Sequence, residues 1–163
     1  MVAQTYAVLL RALGQPYERD YGMVEAWMFQ KFAIAYGDTN PLYFDADYAR
    51  RLGYRDVLAP PTFLIAQNGM GASLPEPELR HDGLYPRNED KGLPTGVRVM
   101  AGGVSLTIYA DVFPHDHIVC STKVLEVVQK PGKKGSLIFV TSERSFSNLH
   151  EVVQVCRETR IYR

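Results

Sequence analysis

The sequence predicts an α+β domain, and three observations carry that expectation. A stretch from Pro61 to about Ala72 is apolar almost all round, which marks a helix meant for burial. From Val97 to the end the chain is rich in Val, Ile, Thr, Tyr and Phe and is broken at regular intervals by turn residues, the pattern of consecutive antiparallel strands. Only one short strand candidate precedes the helices, so the order runs strand, helices, then a long strand series.

Each element has its own warrant. Tyr17 to Tyr21 reads as the short first strand. A helix is expected over Met23 to Tyr36, with Val24, Trp27, Met28, Phe32, Ile34 and Ala35 as its apolar face and Gly37 as its stop. Asp45 suits the cap of a short helix through Ala49 and Leu52, closed by Gly53. Proline at Pro61 is tolerated in the first turn of the apolar helix. Leu74 to Gly96 is rich in Pro, Gly and charge without any period, the composition of a long surface loop or a lid. The strands are expected at Val97 to Val112, His117 to Gln129, Ser136 to Ser147 and Glu151 to Tyr162, with breaks at Pro114-His115-Asp116, at Pro131 to Gly135 and at Asn148.

Bulk properties narrow the class. A chain of 163 residues is one domain by size, spanning 1–163, and can build its own core. Its 18 Lys and Arg balance 18 Asp and Glu, so no field favours a nucleic acid. The two cysteines, Cys120 and Cys156, are too few for a disulfide framework and suit reduced, buried thiols. Met1 to Leu13 holds only the short apolar run Tyr6 to Leu10, and no run approaches a membrane span, so a soluble cytoplasmic protein is expected.

The chemistry-bearing segment is Asp38-Thr39-Asn40-Pro41-Leu42-Tyr43, followed after the short helix by Leu58-Ala59-Pro60-Pro61-Thr62-Phe63. This pair of motifs resembles the signature of the MaoC-like, (R)-specific enoyl-thioester hydratases and dehydratases, whose Asp-x-Asn-Pro-x-His motif supplies a carboxylate and an imidazole. The resemblance runs from about Gly14 to the C-terminus, specific in Asp38 to Thr62 and general in the strands. It implies a hot-dog fold, an antiparallel sheet wrapped around the central helix. It also implies hydration of a 2-enoyl thioester or dehydration of a 3-hydroxyacyl thioester carried on coenzyme A or acyl carrier protein, with no further cofactor.

This chain departs from the family pattern at two places. Tyr43 stands at the imidazole position, and Pro60-Pro61 at a His-Gly pair whose glycine N–H supports the thioester oxygen. Proline has no N–H to give, and a phenol with a pKa near 10 is a poor base at neutral pH. Both absences are typical of the N-terminal, histidine-lacking type of MaoC-like half, which works in a double hot-dog chain or beside a subunit that keeps Asp and His. By this resemblance Asp38 and Tyr43 are the candidate catalytic residues, and Asn40, Pro61, Thr62 and Phe63 the candidate substrate-binding ones. The implied assembly is a homodimer or a heterodimer with a His-containing MaoC-like subunit. The N–H groups of Thr62 or Phe63 are candidate replacements for the missing donor, since first-turn amides of a helix are free.

Plainer readings stand beside these. Asp38 before Asn40-Pro41 is also an ordinary Asx turn, Tyr43 also a packed aromatic, and Thr62 also a helix cap. His115-Asp116-His117 brings two imidazoles together without a visible third ligand, so a turn is favoured over a metal site. Lys130, Lys133 and Lys134 suit a solvated hairpin tip better than a phosphate site, and His81 reads as a surface residue of the loop. Gly102-Gly103 fits a bulge or a close approach. Three functions compete: a hydro-lyase subunit, favoured as the acyl-binding half of a heteromer over a homodimeric hydratase using Asp38 and Tyr43, a hot-dog thioesterase, and a non-catalytic acyl-thioester binder. Pro61 to Leu74 contains no Asp or Glu to activate water, which counts against the thioesterase.

Overall fold

The computed structural model describes residues 1–66, 75–80, 83, 87, 90–133 and 135–163. Along the chain these form α1 (Val2–Arg11), β1 (Pro16–Met23), α2 (Ala26–Tyr36), a 3-10 turn (Pro41–Tyr43), α3 (Ala46–Arg51), α4 (Phe63–Ala66), a second 3-10 turn (Glu76–Glu78), β2 (Val99–Ile108), β3 (His117–Gly132), β4 (Gly135–Ser147) and β5 (Val152–Tyr162). The strands make one five-stranded antiparallel sheet in the order β1-β3-β4-β5-β2. Its inner face packs α2 and α4, the expected α+β hot-dog arrangement.

Alternation builds that face. Along β4, Ile138, Val140, Ser142, Arg144 and Phe146 are buried while the residues between them are half-exposed, because successive side chains of a strand point to opposite faces. One core cluster gathers Phe29 and Phe32 of α2, Phe63 and Leu64 of α4, and Ile118, Cys120, Phe146, Val153 and Cys156 of the sheet. Phe63 meets Phe29 edge-on at 4.9 Å and Phe32 at 5.8 Å, near the perpendicular geometry that aromatic quadrupoles favour. A second cluster, Leu9, Val97, Val124, Val127, Ile138, Val140 and Tyr162, fills the other end under α1.

Several expectations are corrected. α1 was not anticipated: its apolar stripe of Val8 and Leu9 is too short to stand out from a run that reads as a loose terminus. The next helix begins at Ala26, since Met23 closes β1, and it buries Phe29, Phe32 and Ala33 while Trp27 and Ile34 lie exposed. Gly37 ends it as expected, at φ 70° in the left-handed region, where glycine avoids the steric cost of a side chain. The apolar helix is described from Phe63 to Ala66, and its expected continuation to Ala72 lies outside the described residues.

The expected surface loop after it is fastened to the sheet where it is described. Arg80 and Arg160 lie 3.2 Å and 3.7 Å from the Asp90 carboxylate, Tyr162 Oη donates to Asp90 at 2.9 Å, and Arg87 Nη2 donates to Glu158 at 2.8 Å. Asp90 is consequently buried, because its charge is neutralised where it lies. Gly102 sits at a bulge between Ala101 and Gly103, where a Cβ would come 3.0 Å from the Thr159 carbonyl oxygen, so bulge and close approach coincide.

Candidate functional site

The Asp38 to Tyr43 loop is held by its own short polar side chains. Asp38 N–H donates to the Ala33 carbonyl and caps α2. Asp38 Oδ1 accepts from Asn40 N–H at 3.0 Å, an Asx turn, and Asn40 Oδ1 accepts from Leu42 N–H at 3.1 Å to start the 3-10 turn. Pro41 fits the first position of that turn, where its missing N–H costs nothing. Asp38 is exposed, whereas Tyr43 is 8% exposed and packed into the fold.

Burial pushes the Tyr43 phenol above the ordinary tyrosine value, the Asp38 carboxylate adds to the rise, and a hydrogen bond with the Asn40 side chain pulls part of it back. Tyr43 is a neutral hydrogen-bonding group at physiological pH, in the electrostatic range of Asp38.

The second half of the motif is pinned to the first. Leu58 N–H donates to the Leu42 carbonyl at 3.0 Å, and Ala59 N–H to the Val112 carbonyl at 2.9 Å. Pro61 presents its carbonyl to Gln154 Nε2 of β5 at 2.8 Å. Phe63 N–H donates to the Pro60 carbonyl at 2.9 Å, so this amide is already used, while the Thr62 amide has no acceptor among the described residues. Pro61 and Thr62 are exposed and Phe63 is fully buried. Phe63 belongs to the packed core, and Pro61 and Thr62 present the surface of the helix start.

Sequence reasoning missed Gln154 and Arg144, both buried polar residues of the inner face. Arg144 Nη1 donates to the Ile65 carbonyl at 3.3 Å, beneath α4. The available signal was parity: Arg144 shares its face with Phe146, and Gln154 with Cys156, each two residues apart on a strand.

His115 lies in a turn at φ 69° with Nδ1 3.4 Å from Glu25, and His117 Nε2 is 2.7 Å from Asp20. Among the described residues no cluster of His, Cys, Asp or Glu could hold a metal. Lys130 covers the Phe139 ring at 4.9 Å, and Lys133 forms the hairpin tip, while Lys134 and His81 lie outside the described residues. No helix among the described residues is long and apolar enough to cross a membrane.

Known proteins share both sequence and fold with this chain. Residues 11–156 match the family described as the FAS1-like dehydratase domain region. A UPF0336 protein of Thermobifida fusca is 32% identical over 136 residues, 71% of this chain and 86% of that protein. The probable enoyl-CoA hydratase alpha subunit of Thermomonospora curvata is 28% identical over 94% of this chain, which spans 48% of that protein. The ChsH1–ChsH2 complex from Mycobacterium tuberculosis contains a chain of the same fold, with TM-score 0.74 at 20% identity, covering 99% of this chain and 92% of that one. The chain therefore belongs to the FAS1-like dehydratase region family, the MaoC-like hot-dog hydratases and dehydratases.

Proposed function

We propose that this chain is the acyl-binding half of a heteromeric hydratase or dehydratase acting on 2-enoyl or 3-hydroxyacyl thioesters. The supporting observation is a motif kept in shape but short of chemical groups. Asp38 Oδ1 is engaged by Asn40 N–H, Tyr43 is a buried neutral phenol, Pro61 has no N–H, and Phe63 N–H is spent on Pro60. Hydration of an enoyl thioester needs a base for water, an acid for C2 and donors for the thioester oxygen. This chain supplies one exposed carboxylate and, at Thr62, one unengaged amide. A subunit that brings the imidazole and a glycine N–H completes the set.

The sheet edge supports a partner of the same fold. β2 is an edge strand of 10 residues, VMAGGVSLTI, without a single charge, and Met100, Val104 and Ile108 on it are 44%, 60% and 49% exposed. Edge strands that stay single are normally blunted by charge or proline, so an uncharged one suits pairing with another strand. The enoyl-CoA hydratase relative is named as an alpha subunit and the ChsH1–ChsH2 structure is a complex of two proteins, both in keeping with a heteromer.

The test is hydration of crotonyl-CoA by the purified chain, with and without a hot-dog subunit that carries Asp-x-Asn-Pro-x-His. Little or no activity alone and turnover on mixing is the expected result. Robust activity of the lone chain, abolished by Asp38→Asn, overturns the heteromeric assignment in favour of a self-sufficient hydratase.

A further inference from the structure

The inner face of the sheet carries a cation in a place built for hydrocarbon. Arg144 is 7% exposed, in a row with Ser142 and Phe146 and directly beneath α4. Burying a guanidinium in such surroundings is costly unless its donors are all met. Nη1 reaches the Ile65 carbonyl at 3.3 Å, and Nη2 makes a long contact of 3.9 Å with Cys156 Sγ and lies 3.7 Å from the Glu158 carboxylate. The Nε donor is fully buried and has no acceptor among the described residues.

Buried donors without acceptors are rare, and each calls for a cause. The Ile65 carbonyl and Glu158 give the Nη groups of Arg144 structural work, but neither bond uses Nε. The location points to substrate. Gln154 holds the Pro61 carbonyl at the start of the helix segment, and Arg144 holds the Ile65 carbonyl about one helical turn further along, roughly 5 Å inward. The exposed Pro61-Thr62 end, where the proposed function puts the thioester, opens the same segment that Arg144 holds from beneath.

We propose that Arg144 is a specificity-determining residue whose Nε–H donates to an oxygen carried on the acyl group, several carbons from the thioester. This rests on the acyl-thioester reading above. The oxygen is that of a neutral carbonyl or hydroxyl group. Glu158 already stands as counter-charge to Arg144, and a second carboxylate would be placed against it. A plain alkyl chain would leave Nε as it is and gain nothing from the cation.

The test uses acyl-pantetheine thioesters, which share their terminal group with both coenzyme A and acyl carrier protein. Binding of a decanoyl thioester to the purified chain is compared by calorimetry with a positional series of oxo-decanoyl thioesters. The expected result is that one position of the oxo group binds about tenfold more tightly than the alkyl compound, the order of one good buried hydrogen bond. In Arg144→Lys, whose ammonium has no donor at the Nε position, that preference falls to about onefold while alkyl binding changes less than threefold. The wild-type series stands alone if the variant does not fold. No preference for any oxo isomer overturns the proposal and assigns Nε to a buried water, and a preference that survives in Arg144→Lys overturns it as well. Absence of binding by every thioester defeats the acyl-thioester reading itself and the inference with it.

Discussion

Gln154 of β5 donates from Nε2 to the Pro61 carbonyl at 2.8 Å, joining the floor of the sheet to the first residue of the candidate substrate segment. The glutamine is 3% exposed, so its amide has no ready substitute in water. Gln154→Leu is expected to leave the Pro61 carbonyl unmet and to lower stability by about 1 to 3 kcal/mol, measured by urea unfolding. A loss below about 0.5 kcal/mol would mean that the carbonyl finds another donor.

The phenol of Tyr43 offers a spectroscopic check of its surroundings. Its folded value is raised, first by burial and then by Asp38, so the folded state holds the proton more tightly than the unfolded chain. Its contribution to stability is full below pH 10 and is lost as pH rises through the folded value. In ultraviolet titration, the phenol missing from Tyr43→Phe is expected to be one that ionises above pH 10; a missing titration below pH 10 would contradict the burial.

Glu158 sets an acid limb. Burial pushes its carboxyl up, but Arg87, through charge and a hydrogen bond, and then Arg144 and Arg160 outweigh burial and bring it below the ordinary glutamate value of 4.5. Such a group stabilises the fold above its unfolded pKa and loses that contribution as pH falls from about 4.5 through the lower folded value. Glu158→Gln leaves three guanidiniums around a neutral amide and is expected to cost about 3 kcal/mol at pH 7, with a flatter decline below pH 4.5 in thermal melts. An unchanged acid limb would show that the network does not act through this carboxylate.

Val104, 60% exposed on the uncharged edge strand, is the site for testing assembly. Val104→Lys is expected to change monomer stability by less than about 0.5 kcal/mol, since most of the side chain is exposed. It is expected to convert the wild-type assembly to monomer in light scattering. A variant that assembles like the wild type would place the partner contact elsewhere.

The strands were legible within a few residues because β-branched and aromatic runs bounded by Pro, Gly and Asn are a local signal, as at Pro131 to Gly135 between β3 and β4. The Asx turn of Asp38 and the stop at Gly37 were legible for the same reason, being decided by residues within one turn. α2 shows the limit, since within it only Met28 and Phe32 of the expected face pack against the core. Trp27 and Ile34 are apolar and exposed, and only the position of the sheet determines that Phe29 and Ala33 point inward. Phe63 is an edge-on partner of Phe29, a contact between residues 34 positions apart that no local pattern encodes.

By itself, then, the sequence determined the class of fold, the capped loop of Asp38 and Asn40, and the loss of imidazole and proline N–H, since these follow from residue identity and near-neighbour chemistry. The tertiary structure decided which donors remain to be used. Phe63 N–H is spent on Pro60, Gln154 reaches Pro61 across 93 residues, and Arg144 reaches Ile65 across 79, with no acceptor for its Nε among the described residues. The reason is physical: the state of a hydrogen-bonding group depends on what is buried beside it, and burial is a property of the folded sheet rather than of any segment.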